Sequence, residues 1–202
     1  MDKNAEDRNL DDKQNSKRNA SEDRKNMVKE TISFILYIAL VFLITYLVIH
    51  YVGQRTQVSG TSMEYTLSDG DNLIVDKISY RFKKPERFDI IVFPYQYEEN
   101  TYYIKRIIGL PGETVQIDED GNIYIDGEVL EESYGREVIQ DPGQAIEPIK
   151  LGEDDYFVLG DNRNASADSR EPSVGVIHGK DIIGRAWLRI FPFDKMGFIK
   201  HQ

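Results

Sequence analysis

Thr101-Tyr102-Tyr103-Ile104-Lys105-Arg106-Ile107-Ile108 is the stretch on which the fold turns. Its β-branched and aromatic residues favour an extended strand, and Pro111-Gly112 soon afterwards supplies the turn that ends it. Successive strand side chains point to opposite faces, so Tyr103, Lys105 and Ile107 share one side and Ile104, Arg106 and Ile108 the other. Lys105 is thereby set beside neighbours that would desolvate it. An exposed strand lysine is the plainer reading of the same pattern.

Runs of the same character flank this one on both sides. They are Asn72 to Ile78, Phe88 to Phe93, Thr114 to Ile117, Asn122 to Ile125, Tyr156 to Leu159 and Ile182 to Ile190, with turn signals at Asp69-Gly70, Asp120-Gly121 and Gly160-Asp161. No stretch among them has helical periodicity, so residues 53–202 are expected to form a mainly β, antiparallel β-sheet domain. Glu131 to Leu151, punctuated by Gly135, Pro142, Gly143 and Pro148, reads as a long loop. A domain of about 150 residues can bury a sufficient core. It must do so unaided, because the chain has no cysteine.

Upstream, Thr31 to Gln54 carries no formal charge and centres on Ile35-Leu36-Tyr37-Ile38-Ala39-Leu40-Val41-Phe42-Leu43-Ile44. A membrane-spanning helix needs about 20 mainly apolar residues. One N-terminal transmembrane helix over 31–52 is the expectation. A cleaved signal peptide would have a short charged start, whereas a polar tail precedes this run. A buried helix of soluble origin would show a polar face. Lys17, Arg18, Arg24, Lys25 and Lys29 lie before the span, and only Arg55 lies between Gly53 and Asn72. The excess of Lys and Arg marks the cytoplasmic side, so the tail is expected inside and the β domain outside the cell membrane. Residues 1–30 hold eight Lys/Arg and eight Asp/Glu with few large apolar residues, as a disordered, solvated tail would. The net charge of -10 therefore falls on the residues beyond the tail and disfavours nucleic acid as a partner.

A hydroxyl-bearing turn, Ser59-Gly60-Thr61-Ser62-Met63, follows the span within a few residues and is placed to act on membrane-borne substrates. A serine nucleophile needs a base. The histidines are His50, His178 and His201, scattered without metal-ligand spacing, so no metal or other cofactor is expected. A Ser62/His178/Asp triad is open on these residues, although nothing around His178 marks it. A lysine can also serve if burial lowers its pKa, and Lys105 fits that pattern.

Taken together, four segments decide between these readings. Ser59-Gly60-Thr61-Ser62-Met63 with Thr66-Leu67, Asp89-Ile90-Ile91-Val92-Phe93, Tyr103 to Glu113 with its Lys-Arg-Ile-Ile-Gly-Leu-Pro-Gly core, and Gly160-Asp161-Asn162-Arg163 with Ser166-Ala167-Asp168-Ser169-Arg170 resemble, in order and spacing, the sequence boxes of type I signal peptidases. The resemblance runs from Tyr46 to the carboxyl end. It implies a membrane-bound serine endopeptidase that removes signal peptides from exported pre-proteins through a Ser/Lys dyad, with Ser62 as nucleophile and Lys105 as general base. Ser166 matches the serine that hydrogen-bonds the lysine amine. Asp161, Asp168 and Arg170 match bracing positions, the last two as an ion pair. Val58, Met63, Leu67, Tyr103 and Ile104 match pocket walls that select small side chains before the cleaved bond. Gly60 stands where some relatives place an oxyanion-binding hydroxyl. The partners implied are exported pre-proteins and membrane lipid.

The sequence departs from the family pattern at three places. Tyr65 replaces a usual proline, Asn164-Ala165 a usual Asp-Asn, and Phe88 a common glycine. Two rivals share parts of the pattern. A self-cleaving repressor-type Ser/Lys peptidase would carry a DNA-binding domain in place of the span, and a non-catalytic membrane-anchored assembly factor would have lost the serine and lysine.

Overall fold

The computed structural model describes residue 24, residues 27–46 and residues 53–200. Residues 1–23, 25 and 26 of the expected tail, residues 47–52 at the outer end of the expected span with His50, and residues 201–202 with His201 lie outside the described residues. Residues 1–49 and 50–202 form two separate units. In the first, α1 (Met27–Tyr46) is a continuous helix of 20 residues, long and apolar enough to cross a bilayer. Its described side chains are exposed, as they would be for a helix whose partner is lipid.

Among the described residues the second unit has twelve strands, every pairing antiparallel. They are β1 (Gly53–Gln57), β2 (Asn72–Asp76), β3 (Ile90–Pro94), β4 (Tyr102–Gly109), β5 (Thr114–Ile117), β6 (Ile123–Ile125), β7 (Glu128–Val129), β8 (Ile149–Lys150), β9 (Asp155–Leu159), β10 (Ile177–His178), β11 (Gly184–Phe191) and β12 (Gly197–Phe198). The large sheet runs β1-β2-β11-β3-β4-β9-β10 with β12 on β11, and a small sheet runs β7-β6-β5-β8. The expected mainly β, antiparallel class is what the chain forms. The quoted stretch becomes β4, an inner strand held by β3 and β9.

Each expected strand is present, and the differences at its ends have local causes. β2 stops at Asp76 and not at Ile78, because the Asp76 carboxylate accepts the amide protons of Ile78 and Ser79 at 3.0 Å and starts a 3-10 turn. β3 begins at Ile90, two residues later than expected, because Phe88 has φ = +70° and cannot continue a ladder. β1, Gly-Gln-Arg-Thr-Gln, has no apolar alternation to announce it. It exists because β2 offers it an edge, with Gly53 opposite Asp76 and Gln57 opposite Asn72. The loop 131–151 contains a 3-10 turn, Gly143–Ile146, and β8, and it buries Ile139 and Ala145.

Three apolar clusters hold the unit together. One joins the small sheet to β4 and β9 through Ile108, Val115, Ile117, Phe157 and Leu159. A second, with Met63, Leu67, Leu73 and Ile90, lies against the hydroxyl-bearing turn. The third packs Ile91, Phe93, Ile107, Tyr156 and Val158. Burying such side chains stabilises by about 1.5–3 kcal/mol each. That rigid base is what fixes the two sides of the site.

Candidate active site

The turn after β1 is pinned at both ends. Val58 donates to Asp71 O at 2.8 Å and accepts from Gly70 at 2.9 Å, while the Gly60 amide donates to Asp69 Oδ1 at 2.8 Å. Gly60 has φ = +94°, a region that side chains strain to enter. A serine there would bring its hydroxyl only at that cost. Met63 and Leu67 are buried beneath the turn in the second cluster, and neither reaches the cavity wall where they were expected. Their spacing reflects anchoring of the turn to the core. Ser62, half-buried, is left at the surface of the cavity.

From the other side, Asn162 grips the same turn. Its amide donates to Ser62 O at 3.0 Å and its side chain to Thr61 O at 3.1 Å. This contact needs Gly160, because a Cβ at that position would lie 2.5 Å from Ser62 O and closer still to Ser166 Oγ. The Gly-Asp-Asn-Arg motif therefore combines a close approach with a backbone clamp.

Lys105 projects from β4 into the same cavity and is only 3% exposed. Its Nζ lies 2.8 Å from Ser62 Oγ, 3.0 Å from the Ile104 carbonyl and 5.0 Å from the centre of the Tyr103 ring. Burial disfavours the ammonium and lowers its pKa to about 8, against a smaller opposing pull from Asp168 and Asp161. At pH 7 about a tenth of the amine is then neutral, far more than for an ordinary lysine. The cavity, of about 320 Å³, is lined on its apolar side by Val58, Val92, Tyr103, Ile104, Ala165 and Ala167.

Ser166 makes no hydrogen bond to the amine and lines a different cavity. Its Oγ is buried and has no hydrogen-bond partner among the described residues. The resemblance implied a bond to Lys105; in this chain the Ile104 carbonyl orients the amine. Asp168 and Arg170 form the expected pair, bidentate at 2.9 Å for both contacts, and Asp168 also accepts the Gly160 amide at 3.0 Å.

Asp161 has a partner that sequence reasoning did not assign. Arg106, fully buried, donates to both Asp161 oxygens at 2.8 and 2.7 Å and to the Phe88 carbonyl at 2.9 Å, with the Tyr134 ring 3.8 Å from its guanidinium carbon. Thr66 donates its hydroxyl to the same carboxylate at 2.5 Å. Thr66, Arg106 and Asp161 each stood in a quoted motif, but no local pattern linked the three. Of the three departures, Phe88 uses its positive φ, Tyr65 is 75% exposed beneath the Arg136 guanidinium, and Ala165 lines the cavity. His178 lies on β10, exposed, paired with Asp155 at 2.5 Å, and does not line the Ser62 cavity. The triad reading is therefore set aside.

Comparison with known proteins gives the family. The family described as "Signal peptidase, peptidase S26" matches residues 28–191. A probable signal peptidase I-2 of Synechocystis sp. is 39% identical over 154 residues, 74% of this chain and 68% of that protein. The signal peptidase I of Leptolyngbya laminosa is 42% identical over 154 residues, 73% of each chain. That of Bacillus licheniformis is 36% identical over 183 residues, 87% of this chain and 95% of the relative.

Proposed function

The chain belongs to the S26 signal peptidase family, serine endopeptidases that remove signal peptides from exported pre-proteins, and we propose that Ser62 and Lys105 carry out the cleavage. The observation that carries this reading is the 2.8 Å contact between Ser62 Oγ and a buried lysine whose pKa is lowered to about 8. Neutral Lys105 takes the hydroxyl proton as Ser62 Oγ bonds to the scissile carbonyl carbon. The resulting ammonium returns that proton to the departing amine, leaving a serine ester. A water molecule then attacks the ester with Lys105 again as base, which regenerates the serine.

Negative charge that develops on the carbonyl oxygen is met by the Ser62 amide, which has no acceptor among the described residues. Such a donor is worth about 3–4 kcal/mol. Gly60 adds no hydroxyl, so the backbone carries this task. The walls made by Val58, Val92, Tyr103 and Ile104 accept small apolar side chains on the acyl side of the bond. Asp161, Asp168 and Arg170 hold the 160–170 loop against the serine turn.

The family is membrane-bound, and α1 is the span that tethers this chain to lipid. The Lys/Arg excess before the span puts the amino terminus in the cytoplasm and the β unit outside, where signal-peptide cleavage sites emerge. Protease added to intact cells, or to protoplasts where a wall is present, then digests the β unit and spares the tail. Digestion of the tail first reverses the orientation.

The chemistry is tested with purified full-length protein in detergent and a pre-protein substrate. Ser62→Ala and Lys105→Ala each lose cleavage with circular dichroism unchanged. Substantial turnover by either folded variant removes the dyad, and no turnover by the unaltered chain returns the assembly-factor reading.

A further inference from the structure

Between β2 and β3 the sequence Lys77-Ile78-Ser79-Tyr80-Arg81-Phe82-Lys83-Lys84-Pro85-Glu86-Arg87 holds five basic residues and one acidic residue, inside a unit whose overall charge is strongly negative. Its tip is held rigidly. Asp76 caps the 3-10 turn Ser79–Arg81 through the Ile78 and Ser79 amides, and Asp89 accepts from the Tyr80 hydroxyl at 2.8 Å and the Glu86 amide at 3.0 Å. Tyr80 packs inward against the third apolar cluster, while Phe82 is 86% exposed. A single exposed aromatic side chain is ordinary by itself, but this one projects from a fixed turn between basic side chains.

The cations around Phe82 are largely uncommitted. Arg81 and Lys84 have no carboxylate partner among the described residues, and Lys83 meets Glu86 only at 3.7 Å between exposed side chains. Arg87, by contrast, is held by Glu113 and the Ile108 carbonyl and takes no part. The loop also springs from the end of β2 that pairs with the start of β1. Asp76, from which it springs, is paired with Gly53, and Lys77 donates to Gln54 Oε1 at 3.3 Å. Gly53 follows the last described residue of the helix, Tyr46, by seven residues, a tether of at most roughly 25 Å.

We propose that the Arg81-Phe82-Lys83-Lys84 tip is an anionic-lipid site, with Phe82 entering the headgroup boundary and the three cations meeting lipid phosphates. The proposal rests on the membrane-bound reading and extends it to a second point of lipid contact, one that fixes the β unit's orientation to the bilayer. Basic residues that flank an aromatic side chain suit this interface, where the ring is buried and each charge near an anionic surface strengthens docking about fivefold. An acidic protein partner would meet the cations equally well but would give an isolated phenyl ring no apolar layer to enter.

The test uses full-length protein in which Trp187, the single tryptophan, is replaced by phenylalanine and Phe82→Trp supplies the probe. The protein is reconstituted into phosphatidylcholine vesicles with and without phosphatidylglycerol. Emission from the introduced indole is expected to shift to the blue and to be quenched by lipids brominated on their acyl chains, more so with phosphatidylglycerol. Lys83→Gln with Lys84→Gln, or added salt, is expected to remove the phosphatidylglycerol-dependent part. Water-like emission without quenching, in protein that floats with the vesicles, overturns the lipid site and leaves the anchor intact. A blue shift without bromolipid quenching assigns the position to a protein contact and also overturns it. Protein that fails to float overturns the anchor and the lipid site together. Phe82→Ser in detergent is expected to cleave a short peptide substrate at the unaltered rate, which separates this site from the dyad.

Discussion

Lys105 and Arg106 are neighbours in β4, are almost equally buried, and are treated in opposite ways by the two faces of that strand. On one face Lys105 meets a serine hydroxyl and a carbonyl but no carboxylate within hydrogen-bonding distance. On the other, Arg106 is closed off by a bidentate carboxylate, a carbonyl and an aromatic ring. A guanidinium stays charged at any accessible pH, so its burial requires a partner. An ammonium can lose its proton instead, and the absence of a direct partner makes that loss easy. One face thus stores a base and the other holds the structure that aims it.

Exchanging the two chemistries is the harshest challenge to this comparison. Lys105→Arg keeps the positive charge and reaches into the same cavity, but it cannot accept a proton from Ser62. Loss of a general base costs about 10²–10⁴ in rate, so pre-protein cleavage is expected to fall by at least that range. The variant also buries a charge that no carboxylate contacts, so urea unfolding is expected at lower concentration. Activity near the unaltered level would show that Lys105 is not the base.

The opposite face is broken by Asp161→Ala, which strands Arg106. Removing one partner of a buried pair destabilises by about 3–5 kcal/mol. The Thr66 hydroxyl loses its acceptor as well, so the serine turn and the 160–170 loop lose a shared tie. Pairing the change with Arg106→Met is expected to restore most of the stability, because the uncompensated charge is gone. If the single variant unfolds no more easily than the parent, the brace has been misidentified.

Stability against pH sharpens the contrast further. The Lys105 pKa is lowered to about 8 in the folded chain, below its unfolded value. Between about pH 8 and 10.5 the unfolded chain therefore binds more protons, and stability attributable to this group rises with pH across that window. Below about pH 8 both states are charged and the burial cost is fully present. Lys105→Met removes the cost, so the inactive variant is expected to be more stable by about 1–3 kcal/mol at pH 7, with the gain vanishing above about pH 10.5. Urea melts at several pH values check this. Cleavage by the parent should rise through an alkaline limb near pH 8 over the lower part of the same range.

Much of this contrast could be read from the chain, and what could not has a physical reason. The alternation of Tyr102 to Ile108 gave the two faces of β4, and the resemblance to type I signal peptidases brought Ser62 and Lys105 forward as a pair. The ion pair of Asp168 with Arg170 was likewise implied by the resemblance, and it forms between residues two apart in one loop. Arg106 and Asp161 are separated by 55 residues, so their pairing depends on β9 docking beside β4, which no local pattern encodes. Met63 and Leu67 were expected on the cavity wall because the resemblance matched them to pocket walls, but the turn directs them into the core. β1 was missed because its polar residues take strand form only against the edge of β2.

Phe88 tests the smallest component of the Arg106 face. At φ = +70° a residue with a Cβ is strained by about 1–2 kcal/mol, yet this backbone geometry accompanies a carbonyl that accepts from Arg106 at 2.9 Å. The ring contributes separately, packed 5.0 Å from Tyr134, which itself covers the guanidinium. Phe88→Ala removes the ring but keeps the strain, whereas Phe88→Gly removes both. The glycine variant is therefore expected to be the more stable of the two by about 1 kcal/mol, with both below the parent if the ring outweighs the strain. Thermal melts of the three proteins measure each part. Equal stability of the alanine and glycine variants would mean that the positive φ is not strained, and that the Arg106 face is held by its ion pair and ring contacts alone.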